Sequence, residues 1–375
     1  MKKLAITIFF DSFILILLGL VIVMSASSTY SVIRFDSVFH LFNSHLFKVL
    51  IGLLFMILFS FIPYEIYKDV SKPLMFLVAA VLLVTLFIAP SIKGAGRWLN
   101  LGIISIQPAD FARLVLLIHL AVLLEEKNDL IEDFRHGFVP LLIWIMIVST
   151  LIILQPNFST GILIILISMT VLYVGDAKVK YIFSSLTVLF ALGLIAAMIY
   201  PHSRARILAF VSSLVNGGDI NLQVKQAMYS LGSGGLFGVG VGNSMQSNLF
   251  LPEAYGDFIF AILGEELGFV GASFVLFSYL VLFVSGILIA KKAKDKFGQL
   301  LAFGITVSII TYAFVNIAVT TGLVPTTGLP LPFISYGGTS LLFLCISVGI
   351  LINIALSNHM KIENLKGAFN SEANR

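Results

Sequence analysis

The sequence predicts an all-α integral membrane protein: about ten transmembrane helices in a single polytopic domain covering residues 1–375. Three observations carry that prediction. Hydrophobic residues make up 59% of the chain and charged ones 11%, against about 25% charged in soluble domains. The apolar residues are gathered into runs close to the length a helix needs to cross a hydrocarbon core of about 30 Å. The few cations are shared unevenly among the connections between those runs.

The runs fall at 6–27, 46–62, 73–90, 109–124, 138–154, 160–174, 181–199, 269–290, 300–321 and 339–356. The first follows Lys2-Lys3, as a signal peptide would, but its stretch from Ile6 to Met24 outlasts an h-region of about 7–15 residues. An uncleaved first span is expected. Ten spans put both termini on one side. Connections there hold fifteen cations: Lys2, Lys3, Lys68, Lys72, Lys127, Arg135, Lys178, Lys180, Lys291, Lys292, Lys294, Lys296, Lys361, Lys366 and Arg375. The opposite side holds seven: Arg34, Lys48, Lys93, Arg97, Arg204, Arg206 and Lys225. The positive-inside rule therefore places the N and C termini, and a tail at 357–375, in the cytoplasm. The net charge of +4 is a topology signal, and nucleic acid drops out as a partner. The single cysteine, Cys345, lies in an apolar run and can form no intrachain disulfide.

Between the seventh and eighth spans the large extracytoplasmic loop runs over 200–268. A helix from Asp257 to Ala290 would have 34 residues and measure roughly 50 Å, far more than the core it must cross. Gly264-Glu265-Glu266-Leu267-Gly268 interrupts it with two acids. The span is therefore placed at 269–290, and 257–267 is expected as a short amphipathic helix lying at or dipping into the outer interface. Ordered loops of this length tend to bind or catalyse. Within it, Leu231 to Gly242 is rich in glycine but holds neither G-x-G-x-x-G nor a Walker lysine, so a nucleotide site is unsupported. Two readings stand for that stretch: tight turns with close backbone packing, or a nest of backbone N–H groups for a phosphate.

The remaining polar residues on the outer side form three groups. Gln107-Pro108-Ala109-Asp110-Phe111-Ala112-Arg113 opens the fourth span, with proline suited to a first helical turn. Asp110 and Arg113 share a face, either as a structural ion pair or as a guanidinium held beside a polar cavity. Just upstream, Lys93-Gly94-Ala95-Gly96-Arg97-Trp98 brings Arg97 into range to form an anion site with Arg113. The last outer loop, Pro325 to Ser340, is uncharged and carries three prolines with Ser335 among its hydroxyls. Such backbone at membrane depth must be buried in protein or line a cavity. The acids Glu253 and Asp257 stand at the edge of an apolar run, and an acid there is exposed, paired or useful.

These blocks together resemble the SEDS family of bacterial cell-wall glycan polymerases. The matching residues are Gly94-Ala95-Gly96-Arg97-Trp98, Gln107 to Arg113, Gln155-Pro156-Asn157-Phe158-Ser159-Thr160-Gly161, the glycine-rich stretch, Pro252 to Phe258 and Ser335-Tyr336-Gly337-Gly338-Thr339-Ser340. They follow family order over nearly the whole chain. The resemblance implies polymerisation of lipid II, an undecaprenyl-pyrophosphate-linked disaccharide-peptide, at the outer face of the bacterial cytoplasmic membrane. It puts the catalytic acid at Asp257, which would act as general base for an inverting displacement. Arg113 and Arg97 would face the leaving pyrophosphate, with Arg204 and Arg206 behind them, and Asp110, Glu253 and Ser335 complete the expected substrate contacts. The chain departs from the family pattern at Asp110, Arg113, Gly96 and Asn157, and has Tyr255-Gly256 where His-Thr is usual.

The implied partners are membrane lipid and a class B penicillin-binding transpeptidase; the signature near Gly264–Gly268 leans toward the division branch over the elongation branch. No metal cluster with ligand spacing is visible, and a divalent cation, Mg or Mn, stays open. A lipid II flippase, a secondary transporter and a non-catalytic scaffold for cell division are the rival readings. Transport sites belong near the midplane with broken helices, whereas these acids gather on the outer side.

Overall fold

The structure, a computed structural model of the chain, describes residues 1–88, 97–100, 105–199, 201–216, 221–247, 251 and 254–373. The described residues form helices α1 (Lys2–Phe35), α2 (His40–Phe61), α3 (Ile66–Ile88), α4 (Pro108–Glu126), α5 (Val139–Leu154) and α6 (Phe158–Val174). They continue with α7 (Val179–Ile199), α8 (Pro201–Asn216), α9 (Leu222–Ser233), α10 (Ile259–Lys292), α11 (Lys296–Thr320) and α12 (Thr339–Ala373). A two-residue hairpin, β1 (Leu99–Asn100) against β2 (Ser105–Ile106), precedes α4.

The described part of each apolar run lies on a helix, and α8 and α9 fall within 200–268, the segment expected as the outer loop. Among the described residues, eight helical segments are long and apolar enough to cross a membrane. The exceptions among the helices that carry runs are α4, whose 19 residues include Asp110, Arg113, Glu125 and Glu126, and α6, with 17 residues. Their lower hydropathy or length goes with their position. α4 buries 14 of its 19 residues, as a helix surrounded by other helices does. At the other extreme, α7 packs mainly on α6 and α8 and leaves Phe190 and Ile199 exposed, as a lipid-facing helix would.

Small residues set the tight crossings. A Cβ at Gly349 on α12 would come within 2.6 Å of the Met56 carbonyl on α2, the backbone-to-backbone contact that small residues allow between apolar helices. A Cβ at Gly19 on α1 would meet the Phe333 carbonyl at 2.7 Å. The loop between α11 and α12 thus reaches into the bundle. Leu329, Leu331, Phe333, Ile334 and Ser335 are buried there, and the Tyr279 hydroxyl of α10 donates to the Pro332 carbonyl at 2.5 Å. Irregular backbone at this depth is covered by protein, the condition under which it is tolerated.

One expectation for the outer loop needs correcting. The segment 257–267 is not amphipathic. Residues Ile259 through Glu266 are buried on every side, and the break from the following span falls at Gly268, at φ 67° and ψ −166°. Its two acids turn inward because the chain supplies their hydrogen bonds. Glu265 accepts from the hydroxyls of Ser230 (2.7 Å) and Ser244 (2.6 Å) and the amide of Met245 (3.0 Å). Glu266 accepts from Ser25 and from the amide of Gly242 at 3.1 Å. The carbonyls of both acids receive the amides of Val239 and Gly240 at 2.9 and 3.1 Å. Gly238 packs with no room for a side chain against the Glu266 carbonyl. The glycine-rich stretch is therefore a strap bound to the Gly268 break by close backbone packing. The anion its Gly242 amide holds is the protein's own carboxylate.

Candidate functional site

Asp257 sits in the turn just before α10, half-buried. Three consecutive carbonyls fix its backbone. Tyr255 accepts from the Tyr336 amide at 2.9 Å. Gly256 accepts from the Ser335 hydroxyl at 2.7 Å, while that hydroxyl accepts from the Leu331 amide at 2.7 Å. Asp257 itself accepts from Asn316 Nδ2 at 2.8 Å, and the same amide nitrogen reaches the Leu329 carbonyl at 2.7 Å. The last outer loop and α11 thus hold the aspartate segment in place by its main chain. The carboxylate points toward Gly328, at φ 75°, where an added Cβ would sit 3.4 Å from Oδ2.

Two guanidiniums share the field of that carboxylate. Burial and the charge of Arg206 lower the Arg97 pKa, with Asp257 pulling the other way. Burial likewise lowers Arg206, again opposed by Asp257. Both remain cations near neutral pH. Arg97 Nη2 donates to the Pro156 carbonyl, and Arg206 Nη1 to the Thr326 carbonyl at 3.2 Å. Both line a cavity of roughly 210 Å³ whose other polar walls include Asn157, Ser159, Thr326 and Thr327. Its apolar side comes from Ile162, Leu163 and Val315 on α6 and α11. Thr326, Thr327 and Leu329 wall the cavity while Gly328 between them faces Asp257. One strip of chain therefore joins the carboxylate to the cationic cavity.

The other expected residues are placed elsewhere. Arg113 pairs with Asp110 at 3.7 Å and lies 4.1 Å over the Tyr312 ring, both side chains nearly buried. They line a separate pocket of about 30 Å³ with Ser335, room for little more than water. Arg97 and Arg113, read from the sequence as one anion site, stand in different pockets. Arg113 is occupied by its aspartate and its ring, and Ser335 spends its hydroxyl on the backbone. Arg204 is exposed on α8. Glu253, like Lys93 to Gly96, lies outside the described residues.

Next to Asp257, Tyr255 contacts Tyr30 and Tyr336 at ring-centroid distances of 5.4 and 5.6 Å. Burial, then Tyr30, Tyr336 and Asp257, push its hydroxyl up to about 12, so it stays a neutral phenol. The Lys48 ammonium donates to the Tyr336 hydroxyl at 3.1 Å. Sequence reasoning missed Asn316, the amide that anchors Asp257; its signal was a lone asparagine inside an apolar span, where unpaired polar groups are costly. Among the described residues, no group of three His, Cys, Asp or Glu side chains could hold a metal ion.

A multi-pass membrane helix bundle with a half-buried carboxylate-and-arginine cleft at one end is the class this geometry defines. Residues 5–360 match the FtsW/RodA/SpoVE family, described as cell cycle proteins, and the chain belongs to that family. It is 36% identical over 348 residues to stage V sporulation protein E of Bacillus subtilis, covering 91% of this chain and 94% of that protein. It is 35% identical over 347 residues to a probable peptidoglycan glycosyltransferase FtsW of Geobacter sp., again covering 91% and 94%. In fold it is similar to a chain of a peptidoglycan synthase complex, with TM-score 0.76 at 22% identity, covering 94% of this chain and 97% of the other. RodA of Thermus thermophilus superposes with TM-score 0.70 at 24% identity, covering 94% and 96%.

Proposed function

We propose that the protein is a peptidoglycan glycosyltransferase that polymerises lipid II at the outer face of the bacterial cytoplasmic membrane. The observation that carries the reading is Asp257: a carboxylate whose backbone is pinned by three carbonyl contacts and which shares its field with Arg97 and Arg206 beside an open cavity. A sugar hydroxyl is a poor nucleophile, and a positioned base contributes about 10²–10⁴-fold. In the proposed step the acceptor's 4-hydroxyl gives its proton to Asp257 as its oxygen attacks the donor's anomeric carbon. The bond to the lipid pyrophosphate breaks on the opposite face, which inverts the α-linkage to β. The departing oxygen keeps the electron pair, and preorganised cations stabilise it; Arg97 and Arg206, which line the cavity, are the cations proposed for that role.

Among the family's branches, division is the proposed setting, with a class B penicillin-binding transpeptidase as partner to cross-link the product. The test is lipid II polymerisation in detergent by wild type and Asp257→Ala, with and without the transpeptidase. Glycan from the wild type alone supports the reading. Equal product from both proteins would sink it, and transfer of labelled lipid II between leaflets without glycan would favour the flippase.

A further inference from the structure

The glycine-rich strap turns large apolar side chains outward from a fixed backbone. Residues 231–247 hold no charged side chain, whereas loops that face water are polar. Phe237 is 81% exposed and Met245 69%, and Leu236, Val239 and Val241 are exposed with them. Gly234 and Gly238 press on the carbonyls of Gly264 and Glu266 with no room for a Cβ, while these larger neighbours face away. A contiguous apolar surface of this kind marks an interaction site. Much of the strap's main chain is satisfied by the protein itself. The amides of Gly238 and Asn243 bond within the strap at 2.8 and 3.2 Å. Those of Val239 and Gly240 go to the carbonyls of Glu265 and Glu266, and those of Gly242 and Met245 to their carboxylates. Two further bonds set its depth. The amides of Phe269 and Val270, the first residues of the expected span, donate to the carbonyls of Gly235 and Leu236 at 2.9 and 3.1 Å. Leu236 and Phe237 therefore stand level with the outer end of that span. Phe269 and Val270 are themselves exposed, and Phe274 and Phe277 continue the exposed apolar face along α10.

We infer that the strap is an outer-leaflet anchor whose partner is the phospholipid surface: Leu236, Phe237, Val239, Val241 and Met245 enter the boundary between headgroups and acyl chains. This goes beyond the glycosyltransferase reading and does not depend on it. Apolar faces held at a membrane surface bury about 5–10 Å into that boundary. At that level an irregular main chain stays near the headgroups while its side chains reach hydrocarbon. The lack of charge fits, since no ionised group has to be carried toward the bilayer core, where it is costly. Continuity with the exposed face of α10 favours lipid over a soluble protein partner. Such a partner would have to cover the strap and stop at a face already set in the bilayer. The Leu251 amide donates to the Gln246 carbonyl at 3.1 Å, which ties the anchor to the chain that leads to Asp257.

The test uses the full chain in nanodiscs of phosphatidylcholine and phosphatidylglycerol, with single cysteines introduced in a Cys345→Ser background and labelled with a nitroxide. Phe237→Cys and Met245→Cys probe the strap, Phe277→Cys the exposed face of α10, and Ser37→Cys the exposed turn between α1 and α2. Label collisions are read with oxygen, which concentrates in hydrocarbon, and with a polar nickel chelate, which is held out of it. The oxygen-to-nickel collision ratio at 237 and 245 should exceed that at 37 by about threefold or more and stay below that at 277, because a site at the boundary excludes the chelate only in part. Ratios at both strap sites within about twofold of the Ser37→Cys value would put the strap in water and overturn the inference. Suppression of both collisions at 237 and 245 would overturn it as well, since protein, as a second copy of the chain, would then cover the patch. Both strap positions are exposed, so their labels displace no packing, and thermal melting reports whether each variant folds. No turnover is read, so either result leaves the glycosyltransferase reading as it stands.

Discussion

The inner end of the bundle and the surroundings of Asp257 use charge in opposite ways. At the end predicted to face the cytoplasm, Lys68 bridges Glu125 at 2.6 Å and Asp295 at 3.1 Å. Asp295 also accepts from the Tyr64 hydroxyl at 2.8 Å, Glu125 caps the Phe297 amide at 3.2 Å, and Lys296 pairs with Asp176 at 2.9 Å. There the charges neutralise one another and tie α3, α4 and α11 together. Around Asp257 the tying is done by neutral groups, namely Ser335, Asn316 and the Tyr336 amide, which hold its main chain. Among the described residues, Arg97 donates to the Pro156 carbonyl and Arg206 to the Thr326 carbonyl, and both line the cavity. Where neutral groups carry the scaffold, charged groups are left for a ligand.

The comparison can be broken in four places. The largest effect is expected at Asp257→Asn, with polymerisation falling about 10²–10⁴-fold. Its melting temperature should stay close to wild type, since the backbone bonds survive; a large drop in melting would make Asp257 a structural residue. Asn316→Leu comes next, because it strands the buried carbonyls of Asp257 and Leu329 at about 1–3 kcal/mol each. Stability and activity should fall together there, and full activity would show that the clamp does not position the aspartate.

At the inner end, Asp295→Asn should cost under about 1 kcal/mol, the usual worth of a half-exposed pair, with activity unchanged. Burial alone would raise the Asp295 carboxyl, but the Tyr64 hydroxyl, Lys68 and the Gly298 amide outweigh it and hold the pKa below its ordinary 3.8. A depressed pKa contributes stability above the unfolded value, lost as pH falls through the folded one. Melting of the wild type should therefore drop below about pH 4, and the drop should shrink in Asp295→Asn. The smallest effect is expected at Arg204→Gln on the exposed face of α8: less than about a twofold change in rate, as for surface charges generally. A tenfold loss would extend the cationic cavity further than Arg206.

Much of this was legible in the sequence, for reasons local to the chain. Hydropathy located the helices because a bilayer demands apolar runs of a set length, and adjacent acids at Glu265-Glu266 marked the break at Gly268. Motif order pointed to Asp257 and Arg97. The sequence could not say which guanidiniums meet. Arg113 lies three residues from Asp110 and is taken up by it, whereas Arg206 reaches the cavity through a helix a hundred residues away from Arg97. Nor could it show that the acids of 265–266 turn inward, since their hydroxyl and amide partners come from 25, 230 and 242–245. Amphipathicity assumes water on one side; here another part of the chain stands in for the water.

The residues that pin the aspartate segment, Asn316, Ser335 and Tyr336, are all made after it. At about 5–20 residues per second, a ribosome adds Tyr336 several seconds after Asp257. A nascent chain can therefore enter the membrane up to α10 with its acid in an unformed turn, and the cleft closes only when the last two helices arrive. Chains stopped after Ala293 should be cut by protease near 254–258 where the full protein resists. Biosynthesis itself would then keep the acid unassembled until the whole bundle is in place to use it.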